Sequence, residues 1–172
     1  AGYNAQGGDS VAVGRSAGRV SQGAYSTAVG YNAGCADQAA YSVAIGAEAG
    51  QVTQGTHNVA VGYQAGSSNQ NSYSVAIGSS AGFNAQGATT VAVGRLAGCG
   101  AQASYAIAVG HQAGQNQQGV NGIALGRLAG ATRQGVNSTA IGVNAGSIDQ
   151  GDYNIAIGDA AGQSGQNNYA IA

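Results

Sequence analysis

The chain has 172 residues, of which 32 are glycine, one is phenylalanine and none is proline, tryptophan or methionine. Its apolar content of 44% is carried mostly by Ala, Val and Ile, which fill only a thin interior, so a globular domain with a large mixed core is excluded. Charged residues make up 6%, against about 25% in typical soluble proteins, lysine is absent and the formal net charge is −1, which leaves no electrostatic footprint for nucleic acid or an anionic membrane.

Residues 1–10 have the layout of the back half of a unit that then repeats. Val11-Ala12-Val13-Gly14 returns as Thr27-Ala28-Val29-Gly30, Val43-Ala44-Ile45-Gly46 and Val59-Ala60-Val61-Gly62, sixteen residues apart each time. The series runs on through Val75, Val91, Ile107, Ile123, Thr139 and Ile155 and opens once more at Ile171-Ala172. Residues 1–172 therefore read as one continuous array, with ten full repeats over 11–170 and a partial repeat at each end. An array entered and left within a unit is expected to continue axially, by covalent extension or head-to-tail stacking that protects its strand edges. No stretch approaches the roughly 20 apolar residues of a membrane span, and the N-terminus shows neither the basic nor the apolar region of a signal peptide.

Numbering each unit from Val11, position 1 is Val, Ile or Thr, position 2 is Ala, position 3 is Val, Ile or Leu, and position 4 is Gly. Positions 7 and 8 are Ala-Gly, position 12 is Gln and position 13 is usually Gly. Two β-branched residues flanking a small one, then glycine, describe a short strand and a turn; the recurrent glycines would cost a helix about 1 kcal/mol each. The fold class is all-β: a single β-solenoid, or parallel β-roll, with one sixteen-residue coil per unit and strands of successive coils paired in parallel.

Ser42-Val43-Ala44-Ile45-Gly46, repeated as Ser74-Val75-Ala76-Ile77-Gly78, resembles the head repeat of trimeric autotransporter adhesins, and is similar to repeats in phage and large-virus surface fibres. The resemblance covers the whole chain and implies a left-handed parallel β-roll assembled as a trimer, on the outside of a cell or virion. Adhesin heads of that family have units of about fourteen residues rather than sixteen, and lack the regular Gln at position 12.

In a solenoid, a residue meets the same position one coil above and below, so each column is weighed as a unit. The glutamine column, Gln6, Gln22, Gln38, Gln54, Gln70, Gln86, Gln102, Gln118, Gln134, Gln150 and Gln166, is expected to point inward as a structural ladder. Each amide would bond its neighbour's amide or the turn backbone. If positions 1 and 3 fill the coil, strand alternation turns position 2 outward. Ala12, Ala28, Ala44, Ala60, Ala76, Ala92, Ala108, Ala124, Ala140 and Ala156 then become a candidate self-association face. Tyr25, Tyr41, Tyr73, Tyr105, Tyr153 and Tyr169 share position 15 with His57 and form a candidate aromatic column, either packing edge-on along the turn or offering a platform for sugar rings. Arg15, Arg95 and Arg127 share position 5, and the two Arg-Leu-Ala-Gly turns make a small patch.

Catalytic and metal chemistry find no pattern. His57 and His111 lie more than three coils apart, only Asp149 and Asp152 among the acids can approach one another, and the regular aspartates of calcium-binding β-rolls are absent. No enzyme activity, metal or cofactor is expected. Cys35 and Cys99 share position 9 but are four coils apart, about 19 Å, beyond the roughly 7 Å reach of a disulfide, so they are free or paired between chains. Asn137-Ser138-Thr139 satisfies the N-glycosylation sequon. The function read from these columns is a structural or adhesive extracellular fibre segment whose partner is itself, a homotrimer being favoured, with a host-surface receptor or glycan as a further partner. The alternative is an ice-binding solenoid with a flat face made by positions 16, 2 and 4; a polysaccharide-degrading tailspike lacks its acid pair.

Overall fold

The computed structural model describes residues 1–172 and contains strands and turns but no helix. Positions 1–3 of all ten units pair in parallel, each residue meeting its own column in the coils on either side: Val75 pairs with Val59 and Val91, Ala76 with Ala60 and Ala92, and Ile77 with Val61 and Val93. The result is one sheet of ten strands, from Val11–Val13 to Ile155–Ile157, roughly 43 Å along the stacking direction at the usual strand spacing. The chain is thus an all-β parallel solenoid with coils of about sixteen residues.

A second strand, absent from the sequence reading, occupies positions 10–12. It forms a five-stranded sheet from Asn4–Gln6 to Ser68–Gln70 and a four-stranded sheet from Asn116–Gln118 to Ser164–Gln166. Its middle residue is left-handed, for example Thr53 at φ 49° and Asn69 at φ 53°, and in that neighbouring pair only positions 10 and 12 are in register. The bend exposes position 11 and turns position 12 into the coil, so one short strand also serves as a corner. Positions 6 and 15 are left-handed as well, as at Ser80 (φ 55°) and Tyr41 (φ 59°), and the turns are laddered between coils like the strands: Asn32 N–H donates to the Arg15 carbonyl at 3.0 Å.

Two of the invariant glycines have separate causes. Gly46, at position 4, has φ +126°, and a Cβ there would lie 2.6 Å from the Gly62 carbonyl oxygen of the next coil. Gly34, at position 8, has φ +50°, and a Cβ there would lie 2.6 Å from the Gln38 side-chain oxygen. The first is dictated by coil stacking, the second by what fills the coil.

The filling corrects the expected orientation of the first strand. Ala28, Ala44, Ala60, Ala76, Ala92, Ala108, Ala124, Ala140 and Ala156 are fully buried, and Ala12 is half-buried against them, so the position 2 alanines are not an outer self-association face. They form the core together with the position 7 alanines from Ala17 to Ala145. The largest side chains wholly inside are Gln, Asn and Thr, not Val or Ile. With the position 12 glutamines filling the rest of the coil, the space between positions 2 and 7 takes a methyl group opposite another methyl group. Alternation then drives the larger residues of positions 1 and 3 outward.

Candidate functional site

The ten-stranded sheet consequently presents its β-branched residues to the outside. Val13, Ile45, Ile77, Val109 and Ile157 at position 3 are exposed, as are Val11 and Ile155 at position 1, and no charged residue occupies positions 1–3 of any unit. One unbroken apolar column, position 3, runs the length of this face, beside a position 1 column that is apolar except at Thr27 and Thr139. The ice-binding surface expected from positions 16, 2 and 4 does not form, because position 2 is core and position 16 is buried too, from Ser26 and Ser42 to Asn154.

Inside, each glutamine spans the lumen. Gln22 Nε2 donates to the Val11 carbonyl at 2.8 Å and the Ser26 carbonyl at 3.3 Å, and Gln118 repeats this with Ile107 at 2.8 Å and Gly122 at 3.0 Å. Amide-to-amide links between coils join Gln54 to Gln70 at 3.4 Å, Gln86 to Gln102 at 3.2 Å and Gln102 to Gln118 at 3.1 Å. The opposite amide oxygens of Gln22, Gln38, Gln54, Gln86, Gln134 and Gln150 find no protein donor. They occupy the space that a Cβ on the position 8 glycine would need. The terminal Gln6 is exposed, with one weak bond to the Ser10 carbonyl, and Gln166 is half-buried.

The position 15 column is a face-to-face stack over part of its length. Tyr25, Tyr41, His57 and Tyr73 have ring centroids 5.1, 4.9 and 5.1 Å apart with interplanar angles of 8°, 14° and 8°. Tyr153 and Tyr169 form a second stack at 5.1 Å and 3°. Thr89 interrupts the column, and Tyr105 stands between Thr89 and Asn121 without an aromatic neighbour in its own column. Only the inner ring faces are covered by other rings, and the end rings Tyr25, Tyr73, Tyr153 and Tyr169 each keep one face without an aromatic neighbour.

Position 5 carries three of the five arginines. Arg15 lies over the Tyr31 ring at 5.7 Å, and Arg95 Nη1 is 2.9 Å from His111 Nε2 one coil on, with Arg127 in the coil after that. Arg133 and Asp149, both at position 11, form an exposed ion pair. The hydrogen bond from Arg133 holds the Asp149 carboxyl below its ordinary value, and the same bond raises the Arg133 guanidinium further. Asp152 accepts from the Val136 N–H at 2.8 Å, so the two acids nearest in sequence are turned to separate partners. No three His, Cys, Asp or Glu side chains gather anywhere in the chain, and Glu48 accepts from Gln64 Nε2 at 2.8 Å. Cys35 is buried, while Cys99 is half-buried and its thiol is raised, by burial first, against a hydrogen bond to Gln115 that lowers it. Asn137 is exposed and accepts from Asn121 Nδ2 at 2.9 Å.

Parallel coils, Ala-Gly turns and a β-branched outer sheet are now all in place. Two stretches match the YadA head domain repeat, residues 20–33 and 118–145. Each runs from the second strand or its glutamine through the first strand to the position 7 alanine or beyond, so the match falls on the core-forming part of the coil. The parallel solenoid and the YadA head match agree with the resemblance to the head repeats of trimeric autotransporter adhesins. Neither a curated protein nor a solved structure matches the chain.

Proposed function

We propose that the chain is a rigid segment of an extracellular adhesin-type fibre, displayed on a cell or virion surface, in which three copies stand parallel about a common axis with their ten-stranded sheets facing inward. The observation that carries this reading is the continuous apolar column at position 3 of the outer face, where Val13, Ile45, Ile77, Val109 and Ile157 stand in water if the chain is alone. Flat parallel sheets with both faces apolar are ordinarily covered on both, and an exposed apolar patch that is continuous over a whole element marks an interaction surface. A second copy offers the matching surface, and a three-fold axis closes the assembly without leaving an open edge. The YadA head match supports the same arrangement. Such a segment acts by length and stiffness, and the match to an adhesin head repeat supports a non-enzymatic role.

Light scattering on the purified chain tests the assembly. Three times the mass of 16.5 kDa is expected. Val61→Glu with Val93→Glu, which places carboxylates on two coils of the apolar face, should reduce that mass to one copy or prevent folding. A stable, non-associating single chain before any substitution would overturn the reading.

A further inference from the structure

The repeat is broken at one place, and the break has made a groove. At residues 84–86 and 100–102 the second strand shrinks to single bridges, Gln70 to Gln86, Gln86 to Gln102 and Gln102 to Gln118. Ala85 has φ 31° where its column is otherwise near 50°, and Ala101 is not left-handed at all. The cause is local: Phe83, the one phenylalanine of the chain, stands at position 9 where smaller residues prevail, and Gly100 is the one glycine at position 10. A groove of about 300 Å³ opens there, lined among others by Phe83, Leu96, Asn84, Asn116 and Ser80.

Next to Leu96 in the chain stands Arg95, the first of three bases on successive coils, Arg95, His111 and Arg127. Arg95 donates to His111 Nε2 at 2.9 Å, which leaves its guanidinium oriented yet without a carboxylate partner. The acids of this side stand at its two ends: Glu48, three coils from Leu96 in the same column, accepts from Gln64, which lines the end of the groove away from Arg127, and Asp159 is two coils beyond Arg127. In a chain with five arginines and a net charge of −1, this is a local positive column rather than a general one.

We infer that this corner of the solenoid binds an acidic oligosaccharide lying along the axis, with a sugar ring in the groove against Phe83 and Leu96 and its carboxylate or sulfate groups on Arg95 and Arg127. A sugar needs an apolar wall for its C–H face and amides or hydroxyls for its own hydroxyls, and Phe83 and Leu96 beside Asn84, Asn116 and Ser80 supply that mixture. Arg95 and Arg127 are roughly 10 Å apart at the coil spacing, of the order of two linked sugar rings, and each presents a fork suited to a carboxylate or sulfate. The inference deepens the adhesive reading and rests on it for its biological setting, while the binding itself can be tested apart from the assembly.

Calorimetric titration of the whole chain with a heparin-derived hexasaccharide, an oligogalacturonate and neutral maltohexaose is the test. Binding to one or both acidic sugars is expected, weakening with salt, and which of them binds tells sulfate from carboxylate; maltohexaose should bind at least tenfold more weakly. Arg95→Gln with Arg127→Gln should lower the affinity at least tenfold, as should Phe83→Ala, without changing the mass by light scattering. Arg15→Gln, on a remote coil, should leave it unchanged. Binding to neither acidic sugar, binding indifferent to the Arg95 and Arg127 substitutions, or binding unaffected by Phe83→Ala would each overturn the proposal. A chain that proves to be a monomer yet binds as described would sink the trimeric fibre and leave the site standing.

Discussion

Gln86 Nε2 reaches across its coil to the carbonyl of Val75 at 3.2 Å. The side chain thereby ties the second strand to the first within one turn of the solenoid, and the same reach recurs from Gln54 to Val43 at 3.1 Å and from Gln150 to Thr139 at 3.0 Å. Gln86→Leu keeps the volume and removes the donor, so it should lower stability by about 1–3 kcal/mol, the cost of a buried polar group left without its partner. Denaturant unfolding of the two proteins checks this, and an unchanged midpoint would mean that the amide fills space only.

The reversed sidedness of the first strand separates two neighbours sharply. Ala76 is wholly buried and Ile77 beside it is exposed. Ala76→Val forces two further methyl groups into a lumen that has no room for them and should cost about 1–3 kcal/mol. Ile77→Val, which removes one methylene on the outer face, should cost less than half as much. Thermal melting of both variants measures the difference, and equal effects would contradict an alanine-lined interior.

Much of this fold was legible in the period alone: sixteen-residue coils, parallel columns, a strand at positions 1–3 and no helix all follow from where Gly46, Gly62 and Gly78 recur. The side of the strand that faces inward was not, because hydrophobicity ranks Val and Ile above Ala for burial. The informative signal was tolerance. Position 3 accepts Val29, Ile45 and Leu125, as a partly open surface does, whereas Ala28, Ala44 and Ala124 beside them never vary, as a lumen one methyl wide requires. The second strand was hidden by its left-handed middle residue, since Val52-Thr53-Gln54 and Ser68-Asn69-Gln70 share no apolar alternation. The groove left two traces in the sequence, the lone Phe83 at position 9 and Gly100 in a column otherwise without glycine.

Left-handed backbone at position 11 is costly for a β-branched residue, and Thr53 adopts it at φ 49°. The next coil carries Asn69 in the same conformation at φ 53°, and asparagine tolerates that region because its short amide bonds locally. Thr53 is exposed, so its side chain can change without disturbing the interior. Thr53→Asn should therefore raise stability by roughly 1 kcal/mol. A rise in the denaturation midpoint is the expected reading; a fall would show that the threonine contributes a contact that outweighs its backbone strain.

The Arg133–Asp149 pair gives a dependence on pH whose sign is set by the lowered carboxyl. A carboxyl held below its unfolded value stabilises the fold above that value, about 3.9, and the contribution disappears as pH falls through the folded one. Both side chains are largely in solvent, at 60% and 44% exposure, so the effect is screened and small. Asp149→Asn should leave the melting temperature nearly unchanged at pH 7 in 0.15 M salt, on the order of physiological ionic strength. In low salt it should melt slightly below the parent, and the two curves should converge as the pH is taken below about 4 and on through the lower value at which the parent's folded Asp149 takes up its proton. Melting curves for both proteins across that range decide the matter, because a gap that persists in acid would belong to packing by Asp149 and not to its charge.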